Sequence, residues 1–263
     1  MNRRHLTFPC GDATLAGTLD MGNATGSTGL LIVSGGNEIR SGAWSGQAQM
    51  AARLAHAGVP VFRFDRRGVG DSEGENHGFR SSADDISAAL AAFRAAVPQL
   101  RRVVAFGNCD AASTLMLNGA SLDLEGLVLA NPWTVDGGDE DTAEPVHTPA
   151  AIRSRYLAKL RNPRELLRLL TGGVNLRRLV RGLRSAASAP VASGLAQDMA
   201  AGLARFSGPV TILLAEHDRT ALMFEAVWPG GDARIQRHDS ASHSFSGEAA
   251  REWLFARLLE ATA

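Results

Sequence analysis

Short apolar segments alternate with longer alanine-rich segments along most of the chain, and this alternation limits the possible folds more than any other feature. The short segments are rich in Val, Ile and Leu and are bounded by Gly, Pro or Asp, which is typical of strands buried on both faces of a sheet. They cover residues 29–33, 59–64, 102–106, 126–130 and 209–214. A strand-helix-strand order predicts an α/β fold with a mostly parallel, doubly wound sheet.

The segments between the strands have helical spacing. Alanines at positions i, i+3, i+4 and i+7 predict a helix over residues 44–56. A second helix is predicted over residues 83–96, with Ser82 as its N-cap and Pro98 after its end. A final helix is predicted over residues 249–259. Near the amino end, the alternating segments 5–9 and 13–19 predict an antiparallel hairpin at the sheet edge.

Strand character disappears between residues 134 and 205, where an acidic loop is followed by helical segments. We interpret this stretch as a helical cap inserted into the fold, so that residues 1–133 and 206–263 form one core. With 263 residues, 45% of them hydrophobic, the chain is large enough to bury a core without disulfides or a metal. The domain prediction is therefore a single α/β core carrying a cap.

Composition excludes several classes of protein. The 27 basic residues balance the 27 acidic ones, which argues against nucleic-acid binding. The two cysteines, Cys10 and Cys109, form no disulfide framework and fit no zinc motif, so we expect a reducing compartment and neither metal nor cofactor. No run reaches the roughly 18 apolar residues of a membrane span, and the first ten residues contain no signal-peptide core. A cytoplasmic location is the expectation.

The sequence VVAFGNCDAA, residues 103–112, predicts a buried strand, a tight turn and the start of a small-residue helix. A nucleophile elbow has this design, with the nucleophile on a strained turn and small residues two positions before and after it. Gly107 and Ala111 occupy those positions around Cys109. A thiolate is a good nucleophile, and the following helix N-terminus favours the anion. The alternative is that Cys109 is a small, buried apolar residue.

A nucleophile of this kind needs a base and an acid that orients the base, and both follow later in the chain. Asp218 comes after the strand over residues 209–214, and His243 lies in a loop before the final helix. We therefore predict a triad of Cys109, His243 and Asp218. Asp218 could instead cap a loop, in which case Glu216 is the nearest substitute, and His243 could be a surface histidine.

Acyl chemistry also requires backbone N–H groups that stabilise an oxyanion. One donor is predicted at Asp110, directly after Cys109, and the second at Gly36 or Asn37 in the glycine-containing loop after the first buried strand. Alternatively, this glycine pair serves only to form a tight turn after the strand. No phosphate-binding motif occurs there. The segment DRRGVGDS, residues 65–72, fits the pattern D-x-R-G-x-G-x-S, for which we predict a structural role.

Together these segments resemble the α/β-hydrolase superfamily over nearly the whole chain. Further segments are similar to the exosortase A system-associated hydrolase family, type 1: GG with Arg40, FRFD at 62–65, GNCDAAS at 107–113, LVLANPW at 127–133, and the cap segment from Tyr156 to residue 176. The resemblance implies an α/β-hydrolase fold and a role in bacterial exopolysaccharide or exosortase-associated pathways. It also leads us to predict that Arg40, Trp133 and Tyr156 bind substrate.

The predicted cap is strongly basic. The segment from Arg153 to Arg184 contains ten basic residues and only one acidic residue, Glu165. These side chains could meet an anionic substrate such as a coenzyme A thioester, a lipid phosphate or an acidic glycan, could contact an anionic membrane surface, or could form a solvated helix face. The sequence leaves the three interpretations open.

The function predicted from the sequence is an acyl hydrolase of the carboxylesterase or thioesterase kind, working through an acyl-thioester intermediate on a small-molecule or lipid- or glycan-linked substrate. Two alternatives use the same residues differently. An acyltransferase would pass the acyl group to an acceptor other than water. A binding or assembly protein would keep the fold without turnover.

Overall fold

The computed structural model describes residues 2–22, 26–135 and 193–263, which contain an eight-stranded sheet. Its spatial order is β1-β2-β4-β3-β5-β6-β7-β8. The strands are β1 (Arg3–Cys10), β2 (Ala13–Asp20), β3 (Thr28–Val33), β4 (Val61–Phe64), β5 (Arg102–Asn108), β6 (Gly126–Ala130), β7 (Val210–Ala215) and β8 (Ile235–His238). From β4 to β8 every neighbouring pair is parallel, which confirms the predicted mostly parallel sheet.

The two amino-terminal strands form the predicted antiparallel hairpin. Their register runs from Arg3 opposite Asp20 to Cys10 opposite Ala13, and β2 also pairs antiparallel with β4. The hairpin therefore forms one edge of the sheet, with β1 outermost, and the parallel strand β8 forms the other edge.

Helices cover both faces of the sheet in the described residues. They are α1 (Gly46–His56), α2 (Ala83–Ala96), α3 (Asp110–Asn118), α4 (Gly194–Ala204), α5 (Arg219–Val227) and α6 (Glu248–Ala261). Side chains of β3 alternate between two cores: Leu30 and Ile32 pack with α1 and α6, whereas Leu31 and Val33 pack with the other four helices. Burial on both faces explains why β3 is apolar at consecutive positions.

The predicted start of one helix needs correction, whereas the predicted bounds of α2, residues 83–96, are confirmed. Helix α1 begins at Gly46 rather than at residue 44, because Trp44 and Ser45 have left-handed backbone angles, with φ of 45° and 61°. Ser82 does occupy the N-cap position of α2, but its side chain makes no capping bond. Its hydroxyl instead accepts a hydrogen bond from Arg66, so a tertiary contact replaces the local one.

Most of the predicted cap, residues 136–192, lies outside the described residues, and so do its predicted helical segments and its basic side chains. The last part of the predicted insertion contains α4. Leu195, Met199 and Leu203 on this helix are buried in the same core cluster as α3. Helix α4 is thus packed onto the core. Among the described residues no helix is both long enough and apolar enough to cross a membrane.

Candidate active site

The predicted site residues follow the carboxyl ends of neighbouring strands. Gly36 follows β3, Cys109 follows β5, Asp218 follows β7 and His243 follows β8. Parallel strands end at the same edge of a sheet, so their loops meet there. The structure therefore gathers residues from four separate parts of the sequence at one edge.

Cys109 has the backbone conformation of a nucleophile elbow. Its φ of 61° and ψ of −127° are unusual for a residue other than glycine, and such strain persists only where the surroundings impose it. Gly107 explains how strand and helix approach so closely: a Cβ there would lie 2.7 Å from the backbone carbon of Ala111 and 2.8 Å from the nitrogen of Ala112. A small residue at position 107 is thus a steric requirement of this turn.

The backbone of Cys109 is fixed on both sides. Its N–H donates to the carbonyl oxygen of Ala130 at 3.0 Å, and its carbonyl oxygen accepts from the N–H of Trp133 at 3.3 Å. The residue is 7% exposed. Trp133 is buried in the same core cluster, and its indole N–H donates to the carbonyl oxygen of Val135. Trp133, predicted to bind substrate, therefore lies beside the elbow.

His243 and Asp218 are brought into hydrogen-bonding contact. Nδ1 of His243 and Oδ2 of Asp218 are 3.0 Å apart, and Asp218 is 7% exposed. The same carboxylate oxygen accepts the N–H of Ala221 at the start of α5. Asp218 thus both caps a helix and contacts the imidazole. It is this carboxylate, and not that of Glu216, that lies against Nδ1.

Two asparagines that the sequence analysis did not single out as functional hold the histidine loop. The side-chain amides of Asn108 and Asn131 both donate to the backbone carbonyl oxygen of His243, at 3.2 and 3.0 Å. Asn131 is fully buried and also accepts the N–H of Ala215. Since Asn108 immediately precedes Cys109, it ties the histidine loop to the elbow. A polar residue at the carboxyl end of each of two buried strands was the signal for them in the sequence.

The loop after β3 is pressed against the elbow. A Cβ on Gly35 would lie 2.6 Å from the carbonyl oxygen of Asn108 and 3.6 Å from the Cβ of Cys109. Gly36 has a φ of 54°, and its N–H donates to the carboxylate of Asp110 at 2.6 Å. Asn37 is exposed, and its side-chain oxygen accepts from the amide of Asn76. In this conformation the N–H of Gly36, one of the two predicted second oxyanion donors, is therefore bonded to a carboxylate.

Arg40 lies in an ion network. Its guanidinium pairs with the fully buried Asp65 and with Asp71 at 2.8 Å, and it also donates to the hydroxyl of Thr18. Asp65 further accepts the N–H of Asp71. These contacts join the β3 loop to the loop that follows β4. Arg40 thus links two loops of the protein, and its role in substrate binding stays a prediction; Tyr156 lies outside the described residues.

A cavity of about 350 Å³ opens next to the histidine loop, between the start of α1 and α6. Its polar lining includes Asn108 and Ser244, the neighbours in sequence of Cys109 and His243. The indole N–H of Trp44 donates to the hydroxyl of Ser244 at 3.1 Å, and this tryptophan is 42% exposed. Its apolar lining includes Ile32, Met50, Phe106, Phe245 and Leu254, and its charged lining consists of Glu38, Arg53, Glu248, Arg251 and Glu252. The cavity has the size and composition of a small-molecule pocket.

The described residues give less support to a metal site or to catalysis by the second cysteine, Cys10. Within it, no group of three or more His, Cys, Asp or Glu side chains is arranged to hold a metal ion. Cys10 is buried and not in a disulfide. Burial raises the pKa of its thiol, and Asp85 raises it further, although the hydrogen bond from Arg67 acts in the opposite direction. Cys10 is therefore a poor nucleophile at neutral pH.

Comparisons with known proteins agree with the fold. The alpha/beta hydrolase family profile matches residues 30–257. No curated protein matches the chain at a significant level. Among solved structures, the α/β-hydrolase GrgF from Penicillium sp. sh18 has a TM-score of 0.62 at 16% identity, over 99% of this chain and 97% of that one.

Two further solved structures show the same fold. An esterase from Pyrococcus furiosus has a TM-score of 0.59 at 14% identity, over 98% of this chain and 89% of that one. A serine hydrolase homologue from Coxiella burnetii has a TM-score of 0.58 at 14% identity, over 100% and 99% of the two chains. Because the family profile spans most of the sequence, the chain belongs to the alpha/beta hydrolase family.

Proposed function

We propose that this protein is an acyl hydrolase in which Cys109 is the nucleophile, His243 the general base and Asp218 the residue that orients the base. The supporting observation is the contact of 3.0 Å between Nδ1 of His243 and Asp218, in a loop that Asn108 ties to the elbow of Cys109. Acyl transfer by a thiol requires a base that a carboxylate orients, and the contact of His243 with Asp218 supports this role.

The first half of the reaction forms an acyl enzyme. Because Asp218 engages Nδ1, the other ring nitrogen, Nε2, takes the proton from Sγ of Cys109. The thiolate attacks the carbonyl carbon of an ester or thioester, and the resulting oxyanion is stabilised by backbone N–H groups. When the tetrahedral intermediate collapses, the bond to the leaving alcohol or thiol breaks and His243 returns the proton to that group.

The second half releases the acyl group. His243 removes a proton from water, the hydroxide attacks the thioester carbonyl, and the carboxylic acid leaves as Cys109 regains its proton. An alcohol or amine acceptor in place of water would make the protein an acyltransferase by the same steps. The cavity lined by Asn108 and Ser244, the sequence neighbours of Cys109 and His243, offers a partly apolar space for one part of the substrate.

We also propose that the protein acts in an exopolysaccharide or exosortase-associated pathway. This proposal rests on the sequence similarity of the elbow GNCDAAS and the LVLANPW segment to that hydrolase family. An acyl group attached to a lipid or glycan would be a suitable substrate class in such a setting.

Thiol alkylation tests the triad without knowledge of the substrate. Iodoacetamide at neutral pH should label Cys109 at least tenfold faster than Cys10, whose thiol has a raised pKa. His243→Ala should remove this selectivity. His217→Ala is the matched control, because Nε2 of His217 contacts Asp239 at 2.7 Å on the exposed surface. Equally slow labelling of both cysteines in folded protein would contradict the proposal and favour a binding protein without turnover.

Acyl adducts test the reaction itself. Intact-mass measurement after mixing with p-nitrophenyl esters and thioesters should show one acyl group on the wild-type chain and none on Cys109→Ala. Added alcohol or amine acceptors would then separate hydrolysis from transfer, since only transfer yields a new ester or amide. If no ester or thioester gives an adduct, the acyl-hydrolase proposal is wrong.

A further inference from the structure

The carboxylate of Asp110 is placed unusually for a residue that follows a nucleophile. Asp110 is the first residue of α3, and its Oδ1 accepts the N–H of Gly36 at 2.6 Å. Short bonds to a charged acceptor are among the stronger hydrogen bonds in proteins. The N–H of Gly36 is thus directed at a side chain, which leaves the N–H of Asn37 as the other predicted second oxyanion donor.

Arg66 contacts both Gly36 and Asp110. Its guanidinium donates to the carbonyl oxygen of Gly36, lies 3.4 Å from Oδ2 of Asp110, and contacts the hydroxyl of Ser82 at 3.3 Å. The arginine side chain is 3% exposed and that of Asp110 is 15% exposed. Gly36, Asp110 and Arg66 therefore form a closed set of contacts that joins the β3 loop, the β4 loop and the start of α3.

The hydrogen bond from Arg66 to the carbonyl oxygen of Gly36 also sets the direction of the N–H of the next residue, Asn37. In a trans peptide the C=O of one residue and the N–H of the following residue point in opposite directions, and no cis peptide bond occurs in the described chain. Because Arg66 holds the oxygen of Gly36, the N–H of Asn37 points away from Arg66. The direction of this donor is therefore set by a buried arginine.

We propose that Asp110 and Arg66 are positioning residues that hold the β3 loop so that the N–H of Asn37, together with the N–H of Asp110, supports the oxyanion. The proposal rests on the acyl-hydrolase function proposed above. Gly35 supports it, because a Cβ at that position would lie 2.9 Å from Oδ1 of Asp110, so the loop is already in tight contact with the elbow.

Charge explains why both partners are needed. A carboxylate close to a developing oxyanion would destabilise it by like-charge repulsion, and the guanidinium of Arg66 compensates that charge. Loss of Arg66 leaves a mostly buried, unpaired carboxylate at Asp110. Loss of the carboxylate releases the N–H of Gly36 and leaves the buried guanidinium with one partner fewer.

Two reactions of the Cys109 thiol distinguish a positioning role of Asp110 and Arg66 from a general loss of structure. Alkylation by iodoacetamide needs the thiolate but forms no oxyanion, whereas acylation by p-nitrophenyl acetate does form one. In Asp110→Ala and Arg66→Met we expect acylation to slow by about 100-fold, the scale of a lost or misplaced oxyanion donor. Alkylation should stay within about threefold of wild type. Asp110→Asn keeps an acceptor for Gly36 and should restore part of the acylation rate.

The matched controls are Asp123→Ala and Arg94→Met, which remove an ion pair of 3.2 Å outside the site and, in the arginine variant, also the pair of Arg94 with Glu125 at 3.0 Å. They should change neither rate by more than about threefold, as is usual for surface pairs. If acylation and alkylation fall by the same factor in the Asp110 and Arg66 variants, or if neither falls, the positioning role is wrong.

Amide hydrogen exchange provides a measurement that does not depend on activity. Peptides covering residues 34–38 should exchange about tenfold faster in Asp110→Ala than in wild type, because the bond to the N–H of Gly36 is lost. The Asp123→Ala control should leave this exchange unchanged. If the wild-type chain forms no acyl adduct, the proposed function fails, while faster exchange would still support the hold of Asp110 on the loop. Unchanged exchange in Asp110→Ala overturns the positioning role in either case.

Discussion

The side-chain amide of Asn131 donates a hydrogen bond to the backbone carbonyl oxygen of His243, with the two atoms 3.0 Å apart. The same side chain contacts Asn108 and accepts the N–H of Ala215. One buried residue therefore connects the ends of β5, β6 and β7 with the loop that carries the imidazole. The backbone of the loop that carries His243 is thus held by a residue outside the predicted triad.

Replacement of Asn131 should lower both stability and reactivity. Asn131→Ala removes three hydrogen bonds and leaves the N–H of Ala215 without its acceptor, which should cost about 2–4 kcal/mol in the free energy of unfolding. Urea denaturation checks this value. The rate of Cys109 alkylation should fall about tenfold, since the base is no longer fixed. A variant that keeps the wild-type alkylation rate would show that Asn131 stabilises the fold without orienting His243.

The close approach of strand and helix at the elbow can be tested at Gly107. Gly107→Ala places a Cβ within 3 Å of backbone atoms of Ala111 and Ala112, which cannot move aside as a flexible side chain can. We expect a loss of about 2–3 kcal/mol in the free energy of unfolding. Gly230→Ala is the control, because a Cβ there meets nothing within 4 Å, and it should change stability by less than about 0.5 kcal/mol. Equal stability of the two variants would contradict the packing argument.

The cavity beside the histidine loop predicts a role for Trp44 in substrate binding. Its indole is partly exposed at the cavity and is bonded to Ser244. Trp44→Ala should raise the KM for an aryl ester such as 2-naphthyl acetate about tenfold, because large apolar contacts are lost. The KM for a short alkyl thioester should change much less. Ile39→Ala, at the other exposed large apolar side chain, is the control. Equal effects on both substrates would argue against an aryl-binding pocket.

The change in the free energy of unfolding at acidic pH should depend in part on Asp232. The side-chain hydrogen bond from Arg234, assisted by one from Trp228, holds the pKa of this carboxyl well below its ordinary value, although partial burial opposes the shift. A depressed folded-state pKa contributes stability above the unfolded-state pKa of about 3.9, and this contribution is lost as the pH falls toward the folded-state value.

Asp232→Asn should therefore lower the free energy of unfolding by about 1 kcal/mol at pH 7, a value that allows for solvent screening of the pair. The difference between variant and wild type should shrink below about pH 4. Urea unfolding at pH 7 and pH 3 measures it. A difference that grows on acidification would contradict the assigned sign.

The predictions that succeeded from sequence rest on local patterns. The apolar runs of β3 and β6 and the alternation of the amino-terminal hairpin were visible because side-chain direction repeats every two residues in a strand. Gly107 and Ala111 indicated a strand-to-helix turn at Cys109 for a steric reason that holds within a few residues. The bounds of α2 were predicted correctly, whereas α1 was predicted to start two residues too early, because Trp44 and Ser45 have left-handed backbone angles.

The sequence by itself determined the order of strands and helices along the chain, the place of the turn at Cys109, and the positions of Asp218 and His243 after it. It could do so because burial patterns and steric limits depend on residues that are neighbours in the sequence. Only the tertiary structure decided which polar groups meet. The bond between Gly36 and Asp110 spans 74 positions and that between Asn131 and His243 spans 112. Such partners are set by loops that converge from different strands, and hydrogen bonds are too short in range for sequence spacing to specify them.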